Sequence, residues 1–416
     1  MQFAPLLIHL LSAIALATAV PVTLHNSAHG QSNVKGAAYF LTNEPSGNMI
    51  MVASLTSDGH VAFKDAVSAG GRGAHATGAP GPDPLMSQGA LHTSAAGQFL
   101  VAVNAGSNTL SMFSIDSKDP TKLKQVGTPV SSEGEFPISV AINKKATQVC
   151  VLNAGLVNGV NCYTVDKSLG LIRQADTLRS LNLKSDPGPM ASAAHQIAFN
   201  DVNDKLVVTA VGAPGFLAVW NVTPNGTLSE NFSTITPPSG GMNPFSLTAV
   251  PGTNALVSAD TALGMDLWDL SSLSAANVGG NQTASGRSAS LAFSGQAANC
   301  WSSFSSKTGN FYFIDAGASI ITEVNLDKTS MKPSVVKQYL QTSESATIDS
   351  DIASLGGKDF LYVLAPNATS IDVLSLDAPG NAKKVGSFNF AAMAKQMKVK
   401  INPDNLQGLT TFVPKA

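Results

Sequence analysis

The chain has 416 residues, of which 44% are hydrophobic and only 12% charged, and its 25 basic and 27 acidic side chains leave a formal net charge of −2. No block of lysine and arginine occurs, so the charge pattern excludes a nucleic-acid partner. The 36 glycines and 22 prolines, together with few charges, favour many short strands joined by tight turns over long helices.

The first 19 residues, MQFAPLLIHLLSAIALATA, are uncharged and end in a small-x-small pattern, which predicts a cleaved signal peptide. A short buried helix or a membrane anchor is the alternative, although the apolar run is shorter than the roughly 20 residues that a span needs. We therefore expect residues 20–35 to open the mature protein and residues 36–416 to form one domain. The protein is expected to be secreted, either extracellular or wall-associated, and monomeric, with no membrane partner.

A strand-turn-strand pattern then recurs along the chain. It is clearest in QFLVAVNAGSNTLSMFSID from Gln98 and returns as AAYFLTNEPSGNMIMVASL from Ala37, TQVCVLNAGLVNGVNCYTVD from Thr147 and KDFLYVLAPNATSIDVLSLD from Lys358. Three further copies begin at Lys205, Asn254 and Gly309. The seven copies start about 50 to 60 residues apart, which is room for four strands and predicts an all-β, seven-bladed propeller.

Each unit is expected to run from an inner strand A through B and C to an outer strand D. The first hairpin has no A strand before it, and QGLTTFVP from Gln407 is an A-like strand with no hairpin behind it. The C-terminal strand is therefore predicted to complete blade 1 and close the ring. A two-sheet sandwich is the alternative, but it would not need these complementary deficits.

The hairpin register makes predictions about the cysteines and sequons. Placing Val101 opposite Met112 puts Cys150 opposite Cys162, so these two are predicted to form a disulfide, with two buried free thiols as the alternative; Cys300 is left unpaired. Glycosylation is expected at sequons of the form N-x-S/T, three of which crowd one loop, and the five asparagines are Asn221, Asn225, Asn231, Asn281 and Asn367.

The sequence contains no GxSxG, P-loop, HExxH or paired CxxC motif, so candidate chemistry comes from geometry at the channel mouth, where the inner strands begin. His92 and His195 open two inner strands and are candidates for proton transfer, although a histidine bonded to a loop carbonyl is the plainer interpretation. Asp349 and Asp351 open another inner strand, but too few oxygen ligands accompany them to predict a metal, and no cofactor is expected.

Arginines are scarce, and Arg72 and Arg287 are expected in long D-to-A loops on the same face, where they could bind substrate carboxylates. Gln196, next to His195, is a further candidate for substrate binding. A solvated loop position is the alternative for each arginine.

The repeated segments FLVAVNAGSNTLSMFSID and FLYVLAPNATSIDVLSLD resemble the lactonase-type seven-bladed propellers, which include bacterial 6-phosphogluconolactonase and fungal carboxymuconate lactonising enzyme. With its leader, the chain looks like the secreted fungal glycoproteins labelled 3-carboxymuconate cyclase. The segment AAHQIAFN resembles the family's PHQ-type strand, which implies a catalytic role for His195, and the segment around His92 resembles another of its histidine strands. Ile138 and Phe245 stand where the family often has histidine, and no matching catalytic glutamate is found.

Three hypotheses follow. The first is an enzyme that cyclises or hydrolyses a carboxylated lactone-type small molecule, with His195 and His92 catalytic and Arg72, Arg287 and Gln196 binding substrate. The second is a non-catalytic wall or extracellular glycoprotein that binds a small molecule or carbohydrate on the same scaffold. The third is an antigen-like surface protein with no pocket ligand.

Overall fold

Short apolar strands joined by tight turns build the whole of the described chain. The computed structural model describes residues 34–77, 79, 81–183, 194–210, 212, 214–273, 279–284 and 286–415. The predicted signal peptide and most of the segment 20–35 lie outside these residues, and the first strand begins at Val34.

The strands are short, as the composition predicts. The first three blades contain β1 (Val34–Leu41), β2 (Met49–Thr56), β3 (Val61–Ser68), β4 (Leu91–Ser94), β5 (Phe99–Asn104), β6 (Thr109–Ile115), β7 (Leu123–Ser131), β8 (Pro137–Ile142), β9 (Gln148–Asn153), β10 (Gly159–Asp166), β11 (Gly170–Arg173) and β12 (Arg179–Ser180). The next two contain β13 (Ala194–Phe199), β14 (Lys205–Ala210), β15 (Phe216–Asn221), β16 (Ser233–Thr236), β17 (Thr248–Ala249), β18 (Ala255–Asp260), β19 (Gly264–Asp269), β20 (Asn281–Thr283) and β21 (Ala289–Ala292). The remaining strands are β22 (Asn299–Phe304), β23 (Asn310–Asp315), β24 (Ile320–Leu326), β25 (Pro333–Leu340), β26 (Ile348–Leu355), β27 (Lys358–Ala365), β28 (Ser370–Leu376), β29 (Ala382–Asn389) and β30 (Gln407–Phe412).

These strands form seven antiparallel blades, which confirms the seven-bladed propeller. Six follow the order A-B-C-D along the chain, with β12 and β20 as additional short strands on blades 3 and 4. Blade 1 has the order β3-β2-β1-β30, so the C-terminal strand supplies its inner position, as predicted. The one α-helix of the described residues, Ala391–Gln396, leads from β29 towards this closing strand.

The hairpin turns explain why the same pattern recurs. In blade 2 a 3₁₀ turn over Ala105–Ser107 ends at Asn108, whose φ of 53° is left-handed, and in blade 7 the turn over Pro366–Ala368 ends at Thr369 with φ 46°. A single left-handed residue after a short turn lets the chain reverse directly into the next strand.

The core lies between neighbouring blades. All six residues of β5 and of β9 are buried, whereas most residues of the outer strand β7 are partly or fully exposed. The fully buried rings include Trp220, Trp268 and Trp301. Each large apolar side chain buried in this way contributes about 2–3 kcal/mol to folding, so face-to-face stacking of blades supplies the stability that one open sheet lacks.

Candidate functional site in the central channel

Irregularities at the start of the inner strands place side chains in the channel mouth. The pairing register shifts at Pro137/Ser139, Ala194/Gln196, Asn299/Trp301 and Ile348/Ser350. Each shift leaves one residue out of the ladder, and a bulge of this kind redirects a side chain. The four residues left out are Ile138, His195, Cys300 and Asp349.

A segment between blades 1 and 2 crosses the channel below this mouth. We call Asp83–Gln88 the strap. Its Asp83 and Met86 have left-handed φ values of 85° and 51°, and Gly89 follows with φ 87°. The sequence shows no periodic pattern in this segment, which contains one proline and is flanked by the glycines at positions 81 and 89.

The strap is bonded to the inner strands of four other blades. Gln407 of blade 1 receives the Leu85 N–H at 2.8 Å and donates to Asp83 at 2.6 Å. The Ser87 hydroxyl donates to the Ile138 carbonyl at 2.8 Å, and the Trp301 indole N–H donates to the Ser87 carbonyl at 3.1 Å. The remaining bond joins the Met86 carbonyl to His195. These contacts hold the strap across the axis of the ring.

On the mouth side of the strap lies a cavity of about 450 Å³, which we call the upper cavity. Its walls are largely apolar, and the polar groups Asp83, His195 and Cys300 lie among aromatic and aliphatic side chains. The residues that matter most for its chemistry are Asp83, Met86, His195, Phe245, Cys300 and Trp301.

His195 is held as a neutral base in this cavity. It is 3% exposed, its ring stacks on Phe245 with centroids 4.3 Å apart, and its Nδ1 lies 2.7 Å from the Met86 carbonyl. A carbonyl only accepts, so Nδ1 carries the hydrogen and Nε2 keeps its lone pair. Burial lowers the pKa of His195 to about 4, so the imidazole is uncharged at neutral pH.

The pKa values of the acidic groups near the strap are raised, whereas that of His195 is lowered. Burial raises the pKa of Asp83 well above its ordinary value, and the neighbouring Asp349 carboxyl adds to the rise. Burial also raises the pKa of Asp349 to about 7 and that of the Cys300 thiol well above its ordinary value. Burial therefore favours the protonated form of Asp83 and keeps Cys300 a thiol at neutral pH. Sequence reasoning missed Asp83, because nothing in the sequence places its loop across the channel.

His92 occupies a different place. On the far side of the strap lies a second cavity of about 330 Å³, the lower cavity, lined by parts of all seven inner strands. Its polar lining includes His92, Gln196, Thr248, Ser302, Ser350 and Asp351. The two cavities have no lining residue in common, so the structure does not bring His92 and His195 together.

Gln196 and the two arginines are engaged elsewhere. The Gln196 amide bonds both the N–H and the carbonyl of Leu247, at 2.6 and 3.1 Å. Arg72 is exposed in the D-to-A loop after blade 1, as predicted, but is not among the residues that line either cavity. The prediction that Arg287 lies in a D-to-A loop is wrong. This residue precedes β21, in the C-to-D connection of blade 5, and bonds Asp269 at 2.6 Å.

The predictions about the three cysteines are confirmed. Cys150 and Cys162 face each other across β9 and β10 and form a disulfide, and Val101 faces Met112. Cys300 is a free cysteine. Four sequon asparagines, Asn225, Asn231, Asn281 and Asn367, are exposed and Asn221 is half-buried.

The part of the chain that the structure describes contains neither a cluster of metal ligands nor a membrane-spanning helix. Among the described residues between 34 and 415, no group of three or more His, Cys, Asp or Glu side chains is arranged to hold a metal ion. Among the same residues, no helix has the length and apolarity needed to cross a membrane.

Comparison with known proteins agrees with the fold and with the family resemblance. A family model described as "Lactonase, 7-bladed beta-propeller" matches residues 26–182, which confirms the resemblance to the lactonase-type seven-bladed propellers. The sequence finds no match among curated proteins.

Solved structures show the same ring. A periplasmic gluconolactonase of Pseudomonas aeruginosa superposes with a TM-score of 0.61 at 16% identity, covering 91% of this chain and 100% of that one. A putative 6-phosphogluconolactonase of Bacteroides fragilis gives a TM-score of 0.58 at 12% identity, over 91% and 98% of the two chains. A functionally unknown protein of Desulfotomaculum acetoxidans gives 0.60 at 14%, over 92% and 100%. At these identities the likeness shows the fold.

Proposed function

Because the chain resembles the lactonase-type seven-bladed propellers, we propose that it hydrolyses a lactone in the upper cavity. The observation that carries this proposal is that a neutral base and an acid whose protonated form is favoured by burial line one cavity. His195 and Asp83 line the same largely apolar space, and their pKa values are displaced in opposite directions. Such a pair can divide the roles of general base and general acid.

The reaction follows from the protonation states. His195 Nε2 takes a proton from a water whose oxygen attacks the lactone carbonyl carbon. The ring C–O bond then breaks, and the ring oxygen receives the proton of Asp83, which gives a hydroxy acid. Proton transfer from His195 to Asp83 through solvent restores both groups, so water and lactone are the only reactants consumed.

The lining favours an uncharged substrate over a carboxylated one. Among the residues that the structure describes, no lysine or arginine lines the upper cavity, and the aromatic rings of Phe245 and Trp301 supply apolar walls. A carboxylate moved into such a space without a cation would be left unpaired, which is costly. We therefore assign the substrate class as a neutral lactone with an apolar substituent.

A non-catalytic small-molecule binder is the second candidate. It is favoured by the strap, which lies across the channel, and by the lowered pKa of His195, because a weaker base is a less effective catalyst at neutral pH. We further propose that the protein is secreted and glycosylated, on the strength of the leader-like residues 1–19 and the exposed sequons. N-glycosidase treatment of secreted material should lower its mass; an unchanged mass would contradict this assignment.

The enzymatic proposal is tested by acid release from a panel of γ- and δ-lactones, with and without alkyl or aryl substituents, followed in a pH-stat. His195→Asn should lower kcat/KM about 10²- to 10⁴-fold. The exposed His60 gives a matched control, since His60→Asn should leave the rate unchanged. Binding of lactones without turnover would favour the second candidate, and a wild-type rate in His195→Asn would refute the assigned base.

A further inference from the structure

The lower cavity is a separate chamber of the channel. The Gln88 side chain crosses from blade 2 to blade 6, donating to the Ser302 carbonyl at 2.8 Å and accepting the Ser302 N–H at 3.0 Å. The Ser139 hydroxyl holds the Gln88 carbonyl from blade 3 at 2.6 Å. These bonds form a ceiling between the two cavities, so a ligand of the lower cavity enters from the far face, where Lys144 and Asp201 follow the ends of their inner strands.

The charged side chains in this chamber already have partners. Lys144 pairs with Asp201 at 2.6 Å. Asp351 accepts bonds from four donors, the N–H and hydroxyl of Thr411, the hydroxyl of Thr410 and the N–H of Ile352, at 2.7 to 3.2 Å. An anionic ligand would therefore find no free cation among these groups, and four donors already occupy the Asp351 carboxyl, so a neutral ligand is favoured.

Two hydroxyl groups of the lining donate their hydrogens to carbonyl groups and keep a lone pair. The Ser303 hydroxyl bonds the Ser350 carbonyl at 3.1 Å and the Ser350 hydroxyl at 2.9 Å, and the Thr248 hydroxyl bonds the Ser302 carbonyl at 3.1 Å and the Ser302 hydroxyl at 2.8 Å. Each of these two oxygens has two lone pairs, of which one is left. His92 adds another acceptor: its Nδ1 lies 3.2 Å from the Val140 carbonyl and so carries the hydrogen, which leaves the lone pair on Nε2. The chamber thus presents three acceptors to a ligand that donates.

The size and the apolar walls of the lower cavity indicate which class of ligand it can hold. A volume of about 330 Å³ lies at the lower end of the range for small-molecule sites, roughly 300–1,000 Å³. Phe199 and Phe304 line it beside the polar groups, and sugars present C–H faces that pack on such rings. We propose that the lower cavity is a second binding site, distinct from the upper one, for a neutral polyhydroxylated molecule of monosaccharide size.

The proposal is tested by saturation-transfer NMR and calorimetry on the full-length protein with glucose, galactose and mannose, and with tetrahydropyran as a probe that has the ring but no hydroxyl groups. Ala249→Phe fills the cavity from its wall, and His92→Leu removes the free acceptor nitrogen while keeping an apolar side chain. Thr329→Val, on an exposed turn, is the control. Circular dichroism and thermal melts establish that each variant is folded.

At least one sugar should bind to wild type and to the control. The same sugar should bind more than tenfold more weakly to both cavity variants, and tetrahydropyran should not bind to any of the four proteins. Binding that survives in folded Ala249→Phe would place the sugar elsewhere and overturn the proposal. The absence of binding by all three sugars at about 10 mM, roughly tenfold above a Kd of 1 mM, would also overturn it. Lactone turnover by Ala249→Phe should equal that of wild type, so this inference and the enzymatic proposal can fail independently.

Discussion

Replacing Asp349 by asparagine should stabilise the protein at neutral and alkaline pH. Asp349 is 1% exposed, and its Oδ2 accepts the Gly408 N–H at 2.6 Å, between the last blade and the closing strand. Its φ of 34° is left-handed, a conformation that asparagine tolerates well. Asparagine keeps an oxygen for the Gly408 bond and removes the charge, so the substitution isolates the electrostatic contribution of one carboxyl.

The sign follows from linkage. Burial raises the pKa of Asp349 from 3.8 to about 7. Between these values the folded protein holds a proton that the unfolded chain has lost, so wild-type stability falls as pH rises through this window and then stays low. At 1.36 kcal/mol per pKa unit, the difference amounts to about 4 kcal/mol at pH 8.

Thermal unfolding followed by calorimetry from pH 4 to pH 8 measures this difference. The Tm of Asp349→Asn should exceed that of wild type at pH 8, and the excess should shrink towards pH 4. His195, whose pKa is lowered to about 4, changes stability in the opposite direction, but it is present in both proteins and cancels in the comparison. Asp404→Asn, at an exposed carboxyl, is the control. An excess that is equal at pH 5 and pH 8 would refute the reasoning.

Three other changes to the chain test the architecture. Changing Cys150 and Cys162 together to serine should lower the free energy of unfolding by about 3 kcal/mol, the value for closing a loop of this length, measured by urea titration, and should abolish the effect of dithiothreitol seen in wild type. Glu323→Ala should cost more than about 3 kcal/mol in the same titration, because it strands buried donors that now bond the carboxylate, whereas the exposed Glu344→Ala should cost little. A chain ending at residue 406 should show no cooperative melt in calorimetry, since it lacks the strand that completes blade 1.

The blades could be predicted because the hairpin of each one is specified by a contiguous stretch of sequence. A run such as Phe99–Asn104, followed by a turn and a second apolar run, specifies a hairpin whatever surrounds it. The missing strand before Ala37 and the surplus strand at Gln407 then leave one way to close the ring. The cross-strand register also placed Cys150 against Cys162, because side chains opposite each other in a hairpin are set by the centre of its turn.

The site was less accessible to the same reasoning. The strap is a turn-rich segment without periodicity, and its partners Gln407 and His195 lie more than 100 residues away. Arg287 was misplaced because the residues before β21 carry no alternating pattern, so the end of blade 5 could not be recognised. Inner-strand position alone placed His92 and His195 on one face, but the level of each side chain along the channel depends on where its bulge lies and on where the strap crosses.

The strap links the two proposed sites without making them one. Its Met86 carbonyl requires a hydrogen on His195 Nδ1, and thereby leaves Nε2 free towards the upper cavity. Two residues later its Gln88 closes the lower cavity by bonding both backbone groups of Ser302. The position of the hydrogen on His195 and the separation of the two cavities therefore both depend on the six residues of the strap. This is how a channel lined by seven similar strands can present an apolar cavity at one end and a hydroxyl-rich cavity at the other.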